Sequence, residues 1–398
     1  WHTLAGLLPP GARLSLRMED GPAAEPIAGG CLSAGPAAGD ALALLTAGDR
    51  FALAYGRSGE EAHARARAGL AADVEATARA RLTFYRDLPR LADPGRDRLL
   101  RKCAAVMKVN TLAAEGCFGG AWSTPDRVPH RDMWLWDSAF HALGMRHLRP
   151  GLAWDFVQAV LERQAPGGMI PHQMSPGGAC SAITQPPVLA WSVWRNHEID
   201  PNHGRLAYAL PRLERYLAWD LRHRDANGNG LLEWHIEANE RCRSGESGMD
   251  NSPRFDRAVR LDAVDFSALA AQDMHCLSLI AAELGERERA EGWRQRAEAM
   301  GGAIHAHLWD EAVGFYVDRD LEGRLSPVQA VSGFYPLLLA DTPPEHVAAL
   351  ARALQDPQRF GAPCPVPSVS LSDPAFSTDM WRGATWVNGN YLVIEGLR

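Results

Sequence analysis

Apolar and polar residues follow two different periods along this chain. Over the first 56 residues the period is two. Ala41-Leu-Ala-Leu-Leu-Thr and Phe51-Ala-Leu-Ala-Tyr flank Ala47-Gly-Asp-Arg, which predicts two short strands around a turn. Arg13-Leu-Ser-Leu-Arg-Met alternates in the same way. From about Gly59 the spacing becomes three and four. Leu70, Val74, Ala78, Leu82 and Tyr85 share one helical face, as do Leu277, Ile280 and Leu284, and Val347, Leu350 and Leu354. Asp93-Pro94, Asp200-Pro201, Ser326-Pro327 and Thr342-Pro343 each put a capping side chain before a proline, a helix-start signal.

These signals predict helices over 60–88, 94–115, 137–148, 151–164, 186–198, 201–223, 264–284, 286–308, 327–339, 343–355 and 385–398. They fall in pairs, with short and long connections alternating. The long ones, 116–136, 165–185, 224–263, 309–326 and 356–384, are rich in Gly and Pro and carry much of the Trp. The expected architecture is mainly α: a toroid of helical hairpins whose long loops form a cup at one end. No fixed repeat period supports a solenoid. The expected domains are 1–56, the remnant of an N-terminal β-sandwich, and 57–398, the toroid. The chain starts at Trp1 and stops at Arg398 inside a predicted helix, so both ends are expected to be cut from something longer.

Composition narrows the functions. Lys+Arg total 41 and Asp+Glu 48, a net charge of −7 without basic runs, which argues against nucleic-acid binding. No run of 18 apolar residues predicts a membrane span, and no signal peptide is visible in residues 1–30. Seven widely spaced Cys without a CxxC pair predict neither a disulfide framework nor a zinc site, and mildly favour a cytoplasmic location. The 13 Trp suggest either stacking platforms for the apolar faces of sugars or bulky core residues.

Four stretches can carry chemistry. The densest runs from Glu237 to Phe255 and holds Glu237, Glu240, Glu246 and Asp250 beside Arg241, Arg243 and Arg254. Met249 and Phe255 near these charges suggest a partly desolvated acid, whose carboxyl would stay protonated. The second is His130-Arg-Asp-Met-Trp-Leu-Trp-Asp-Ser-Ala-Phe-His, in which Asp137 is expected at the helix entry as cap, sugar ligand or both. The third joins Gly168-Met-Ile-Pro-His-Gln to Thr184-Gln-Pro-Pro, where the prolines hold Gln185 extended. The fourth is Thr378-Asp-Met-Trp-Arg-Gly-Ala-Thr-Trp-Val-Asn-Gly-Asn-Tyr. Separately, Asp225, Asn227 and Asn229 before Gly230 resemble half of a calcium loop. Ile236 stands at the twelfth position, and Glu233 is the substitute ligand; an Asx-rich turn is the alternative. Such a calcium would be structural, and no other cofactor is expected.

Together, Glu246-Ser-Gly-Met-Asp-Asn-Ser-Pro-Arg-Phe, Trp134-Leu-Trp-Asp-Ser-Ala-Phe, Thr184-Gln-Pro-Pro and Trp381-Arg-Gly-Ala-Thr-Trp-Val-Asn-Gly-Asn-Tyr resemble the signatures of glycoside hydrolase family 63 and, more distantly, the trehalases. The resemblance covers roughly 60–398, with four motifs in family order. It implies an (α/α)6 toroid behind a β-sandwich, and an inverting hydrolase of α-linked glucosides or mannosides. The partner would be an oligosaccharide or a small glycoside. It further implies Asp250 as general acid and Trp134, Trp136, Asp137, Gln185, Trp381 and Trp386 around the sugar. Arg243, Glu246 and Arg382 are added as candidate binders; the alternative for the arginines is an ion pair with Glu246 or Asp379. Inversion requires a second carboxylate about 6.5–9.5 Å away. The family's Glu-bearing aromatic segment has no match here, and Glu395 and Asp379 have the wrong neighbours, so the base is expected beyond Arg398. Without it, Asp250 is expected to titrate near an ordinary carboxyl value and the 398 residues to be nearly inactive. A sugar epimerase or phosphorylase on the same fold, or an inactive carbohydrate-binding toroid, are the competing readings.

Overall fold

The computed structural model describes every residue except 1–2, 17–22, 35–38, 127, 238, 240 and 258–259. The chain forms two compact units, Trp1–Ala104 and Ala105–Arg398.

The first unit is built on an antiparallel sheet of β1 (Thr3–Leu7), β2 (Glu25–Ile27), β3 (Gly30–Ala34), β4 (Ala41–Ala47) and β5 (Arg50–Gly56), in the order β1-β5-β4-β3-β2. The predicted hairpin is β4–β5, closed at the pair Ala47–Arg50. The alternating stretch at 13–16 is not a strand, and residues 17–18 lie outside the described residues. Helix α1 (Gly59–Ala71) lies on the sheet and buries Ala62 and Ala66 against Ala41, Ala43, Leu45 and Ala54. These small side chains allow a close approach: a Cβ on Gly56 would stand 2.3 Å from the Ala62 nitrogen. Because α1 completes this core, it belongs with the sheet, in the unit that runs to Ala104. The helix expected over 60–88 is two helices. Ala72 turns extended, and Asp73 opens α2 (Val74–Arg86) by accepting from the Ala76 N–H. The face of α2 predicted to be apolar buries nothing fully, and Leu82 is 57% exposed. Helix α3 (Pro94–Val109) begins at the predicted Asp93 cap, which accepts from Arg96 N–H at 2.7 Å.

In the second unit, short connections join α4 (Leu135–Met145) to α5 (Pro150–Leu161), α6 (Leu189–His197) to α7 (His203–His223) and α8 (Val264–Glu283) to α9 (Arg287–His307). A 3-10 segment, Val331–Leu338, is followed in the same way by α10 (Pro344–Gln355), and α11 (Val387–Gly396) comes last. Helices α4, α6, α8, the 3-10 segment and α11 touch in that order. Tyr391 of α11 then meets Phe140 of α4 at 6.4 Å and stacks on Trp191 of α6 at 5.8 Å, which closes an inner ring. Helix α8 is buried on nearly every side, as an inner helix must be.

Local chemistry explains the departures from the predicted boundaries. The α-helix expected over 327–339 is 3-10, because Pro336 lacks the N–H that an α-helical bond to Ser332 needs. Of the four cap–proline signals, only Asp93 works as predicted. Asn202 caps α7, and Asp200 pairs with Arg205 instead. Thr342 donates to the Pro336 carbonyl, and Ser326 starts no helix. Helix α6 has no cap of its own; Asp273 on α8 accepts the N–H groups of Ala190 and Trp191 at 2.9 and 2.8 Å.

Candidate active site

The loop 224–263 is organised by two buried ion-pair hubs. At the first, Glu246 is completely buried and accepts four hydrogen bonds. Oε1 takes Thr184 N–H (3.0 Å) and Arg224 Nη2 (2.7 Å), while Oε2 takes His235 N–H (2.8 Å) and Arg224 Nε (2.9 Å). At the second, Arg254 binds two carboxylates at once. Its Nη1 and Nη2 reach Asp265 at 2.7 Å each, and its Nε and Nη2 reach Asp318 at 2.6 and 2.8 Å. A fork of five donors against two carboxylates tolerates little displacement. The segment carrying Asp250 is thus pinned on both sides.

Between the hubs, Gly248 adopts φ +68°, and a Cβ there would stand 2.3 Å from the Trp136 ring, so only glycine fits. Asp250 is half-buried, and its carbonyl accepts from Arg243 N–H (2.8 Å) and Ser244 N–H (3.2 Å). Burial and the nearby charge of Glu237 raise the Asp250 carboxyl above the ordinary carboxylate range. This runs against the expectation of an ordinary value without a second catalytic carboxylate: burial is the largest influence on the group.

Asn251 ties this loop to the fourth motif. Its Oδ1 accepts Trp381 N–H at 2.9 Å, and its Nδ2 donates to Asp379 Oδ2 at 3.0 Å. Trp381 stacks on Trp386 at 4.3 Å and 7°, and lies 6.2 Å from Trp136. Met380, just before it, is strained at φ +45°. The Gln185 Oε1 accepts Trp136 N–H at 3.1 Å, joining the second and third motifs. Trp134 meets His172 edge-on at 5.1 Å. Asp137 sits in the first turn of α4, not at its cap; position 134 is the cap and makes no side-chain bond. Asp137 keeps some exposed surface yet is crowded by protein, and burial, with a smaller push from Asp250, raises its carboxyl to about 7.

The structure thus gathers Trp134, Trp136, Asp137, Gln185, Asp250, Trp381 and Trp386 around one site. It corrects two candidate binders. All of Glu246's acceptor capacity is used inside the protein, so it has none for a sugar. Arg382 forms a two-pronged ion pair with Asp256 (2.9 and 2.7 Å) and donates to the Asn251 carbonyl, so neither reading of it, as a binder or as Asp379's partner, holds. Arg243, expected as Glu246's alternative partner, makes no ion pair among the described residues, and its Nε is buried without a partner. Glu240 lies outside the described residues. Of the two rejected bases, Glu395 pairs with Arg195 and Arg398, and Asp379 accepts from Asn251, the chain neighbour of Asp250.

The proposed calcium ligands do come together, but as a hydrogen-bonded turn. Asp225 accepts from Asn229 and Gly230 N–H, Glu233 accepts from Ala226 N–H, and the Asn227 and Asn229 amides donate to Asp262. Among the described residues no group of three or more His, Cys, Asp or Glu is placed to hold a metal ion. These bonds are those of an Asx-rich turn, and Glu233 Oε1 is buried within it without a partner. Asn251 is the contributor that sequence reasoning missed; it stands beside Asp250, but nothing local reveals that its partners lie 128–130 residues away.

Residues 129–398 match the family model described as the mannosylglycerate hydrolase MGH1-like glycoside hydrolase domain. A mannosylglycerate hydrolase from Thermus thermophilus is 29% identical, with 70% of this chain and 84% of that protein covered. A Borreliella burgdorferi protein is 27% identical over 53% of this chain and 42% of its own length. The crystal structure of a family 63 mannosylglycerate hydrolase with glucose, also from Thermus thermophilus, superposes with a TM-score of 0.65 at 28% identity, covering 75% of this chain and 86% of that one. The second unit therefore has the (α/α)6 toroid fold. No helix among the described residues is long and apolar enough to cross a membrane.

Proposed function

This chain belongs to the mannosylglycerate hydrolase MGH1-like glycoside hydrolase family, and on that premise we propose that it serves as an inverting hydrolase of small α-glycosides, with Asp250 as general acid. One observation carries the assignment of the acid. Asp250 is a carboxyl whose ionisation burial disfavours, on a segment pinned by two ion-pair hubs, beside an aromatic wall of Trp136, Trp381 and Trp386. Such a group donates its proton to the glycosidic oxygen as the bond to the anomeric carbon breaks. The wall stacks on the sugar's C–H face, and Asp137 and the Gln185 amide are the polar groups that fix its hydroxyls. We assign the base to the Glu that the family resemblance implies outside the four motifs. Arg243, free of an ion pair among the described residues, suits an anionic aglycone such as a glycerate carboxylate.

The test is proton NMR of products from α-mannosyl- and α-glucosylglycerate, using the full-length gene product. The first-formed sugar should be the β-anomer, and Asp250→Asn should abolish turnover. Retention of configuration, or an active Asp250→Asn enzyme, would overturn the assignment.

A further inference from the structure

Helix α10 is fastened at its first turn by a row of three side chains that the catalytic reading does not use. Tyr316 lies in the short hairpin that pairs Trp309–Asp310 with Phe315–Tyr316, and it is buried. Its hydroxyl stands 2.7 Å from His305 Nδ1, in the last turn of α9, and 2.7 Å from His346 Nδ1, in the first turn of α10. The buried His346 ring stacks on Trp309 at 3.7 Å and 11°. His305 Nε2 is 3.5 Å from Asp341 Oδ1. Asp341 presses close to α9, where a Cβ on Gly301 would stand 2.6 Å from its Oδ2. Helix α10 has no capping side chain and fully buries only His346, Leu350 and Ala353, so this row is the polar anchor of its start.

The hydrogens along the row can be counted. Two hydrogen bonds need two hydrogens, and the phenol supplies one. One imidazole must therefore carry a hydrogen on Nδ1 and donate to the Tyr316 oxygen. The other must keep a lone pair on Nδ1 and accept the Tyr316 O–H. A proton added at His305 fits: His305 donates to Tyr316, Tyr316 donates to His346, and the His305 Nε2–H faces Asp341. A second proton, on His346, does not fit. Both Nδ1 atoms are then donors, and the buried phenol hydrogen has no acceptor in the row. Burial and the charge of His305 already hold the His346 imidazole below its ordinary value, while Glu345 and Glu311 pull the other way. The Trp309 face favours a charged ring; burial and the missing acceptor oppose it. A group whose folded value lies below its opened value stabilises the closed form at neutral pH, and that contribution is lost as pH falls below the ordinary imidazole value.

We propose that the His305–Tyr316–His346 row is an acid-released latch: His346 takes a proton from solvent, its bond to Tyr316 breaks, and the start of α10 comes free. Tyr316 stands two residues before Asp318, one of the two carboxylates that hold Arg254 in the second hub. The latch and the hub behind the acid-bearing loop thus share one short stretch of chain.

Hydrogen exchange read by mass spectrometry tests this on the full-length gene product at pH 7.5 and 5.0, after correction for the intrinsic pH dependence of exchange. Protection of peptides covering 344–350 should fall at pH 5.0. The limit of that fall is about thirtyfold, set by an opened-state imidazole of about 6.5. Peptides from the buried helix α8 should stay protected at both pH values. Tyr316→Phe should lower the protection of 344–350 already at pH 7.5 and flatten its pH dependence. His346→Gln keeps a hydrogen-bonding amide that does not titrate, and should give equal protection at both pH values. Equal protection of the parent at both pH values would overturn the proposal. So would a fall that persists in His346→Gln, or a loss of α8 protection in step with α10, which is acid unfolding of the whole unit. None of these readouts involves turnover, so the result is independent of the proposed activity.

Discussion

Glu246→Gln separates a structural from a substrate-binding role at the most buried acid of the loop. In the fold, one carboxylate serves four donors, two from Arg224 and two from the backbone of Thr184 and His235. Glutamine keeps one oxygen and puts an NH2 in place of the other. One backbone N–H and one guanidinium N–H then confront a donor, at about 1–3 kcal/mol for each buried unsatisfied group. Breaking a buried ion pair from one side costs about 3–5 kcal/mol in total. The Arg224 side chain keeps 16% of its surface exposed, so water recovers part of the loss. The expected destabilisation is about 3 kcal/mol, the lower end of that range. Urea unfolding followed by Trp fluorescence measures it as a lower midpoint at unchanged slope. Arg294→Gln, which breaks only exposed helix-surface pairs, is the control and should leave the urea midpoint close to the parent's. A Glu246→Gln protein within about 0.5 kcal/mol of the parent, but with weakened sugar binding, would refute the reasoning and return Glu246 to the substrate.

Four further outcomes are expected. Asp137 ionises near pH 4 when unfolded but only at about 7 when folded, so the native state holds the extra proton in between, and stability falls as pH rises through that window. Asp137→Asn should therefore gain on the parent from pH 4 to 7 in urea midpoint; a pH-independent difference would contradict this. Gly248→Ala combines a left-handed φ with a collision against Trp136 and should cost about 2–4 kcal/mol, read by the same urea titration; a neutral substitution would show that Trp136 can move away freely. Asn251→Ala removes the bonds to Trp381 and Asp379 and should reduce kcat/KM at least about tenfold with a stability cost of about 1–2 kcal/mol; unchanged kinetics would mean that the Trp381 wall holds itself. EDTA should leave the melting temperature unchanged, because the 225–233 turn closes on its own hydrogen bonds; a drop reversed by calcium would restore the metal reading.

Much of the fold was legible along the chain because its signals are local. Periods of three and four predicted the helical pairs of the second unit, and the alternation at 41–55 predicted the β4–β5 hairpin. Four motifs in order pointed to the family. Helix starts were less legible: of the four cap–proline pairs, Asp200 gave way to Asn202 as the cap of α7, Thr342 spends its hydroxyl on the Pro336 carbonyl, and no helix starts at Ser326. Only the family resemblance separated Glu246 from Asp250, two acids four residues apart in one loop; nothing in the local sequence did. One lies against the Arg224 fork and is fully spent on internal bonds; the other is half-buried near a like charge, and burial raises its carboxyl. Arg382 shows the same limit, since its partner Asp256 is 126 residues away. Residue order alone established which side chains are available and which loops carry them. Which carboxyl is free to react was set by folding, because burial and partner charge depend on chain segments that meet only in the native state.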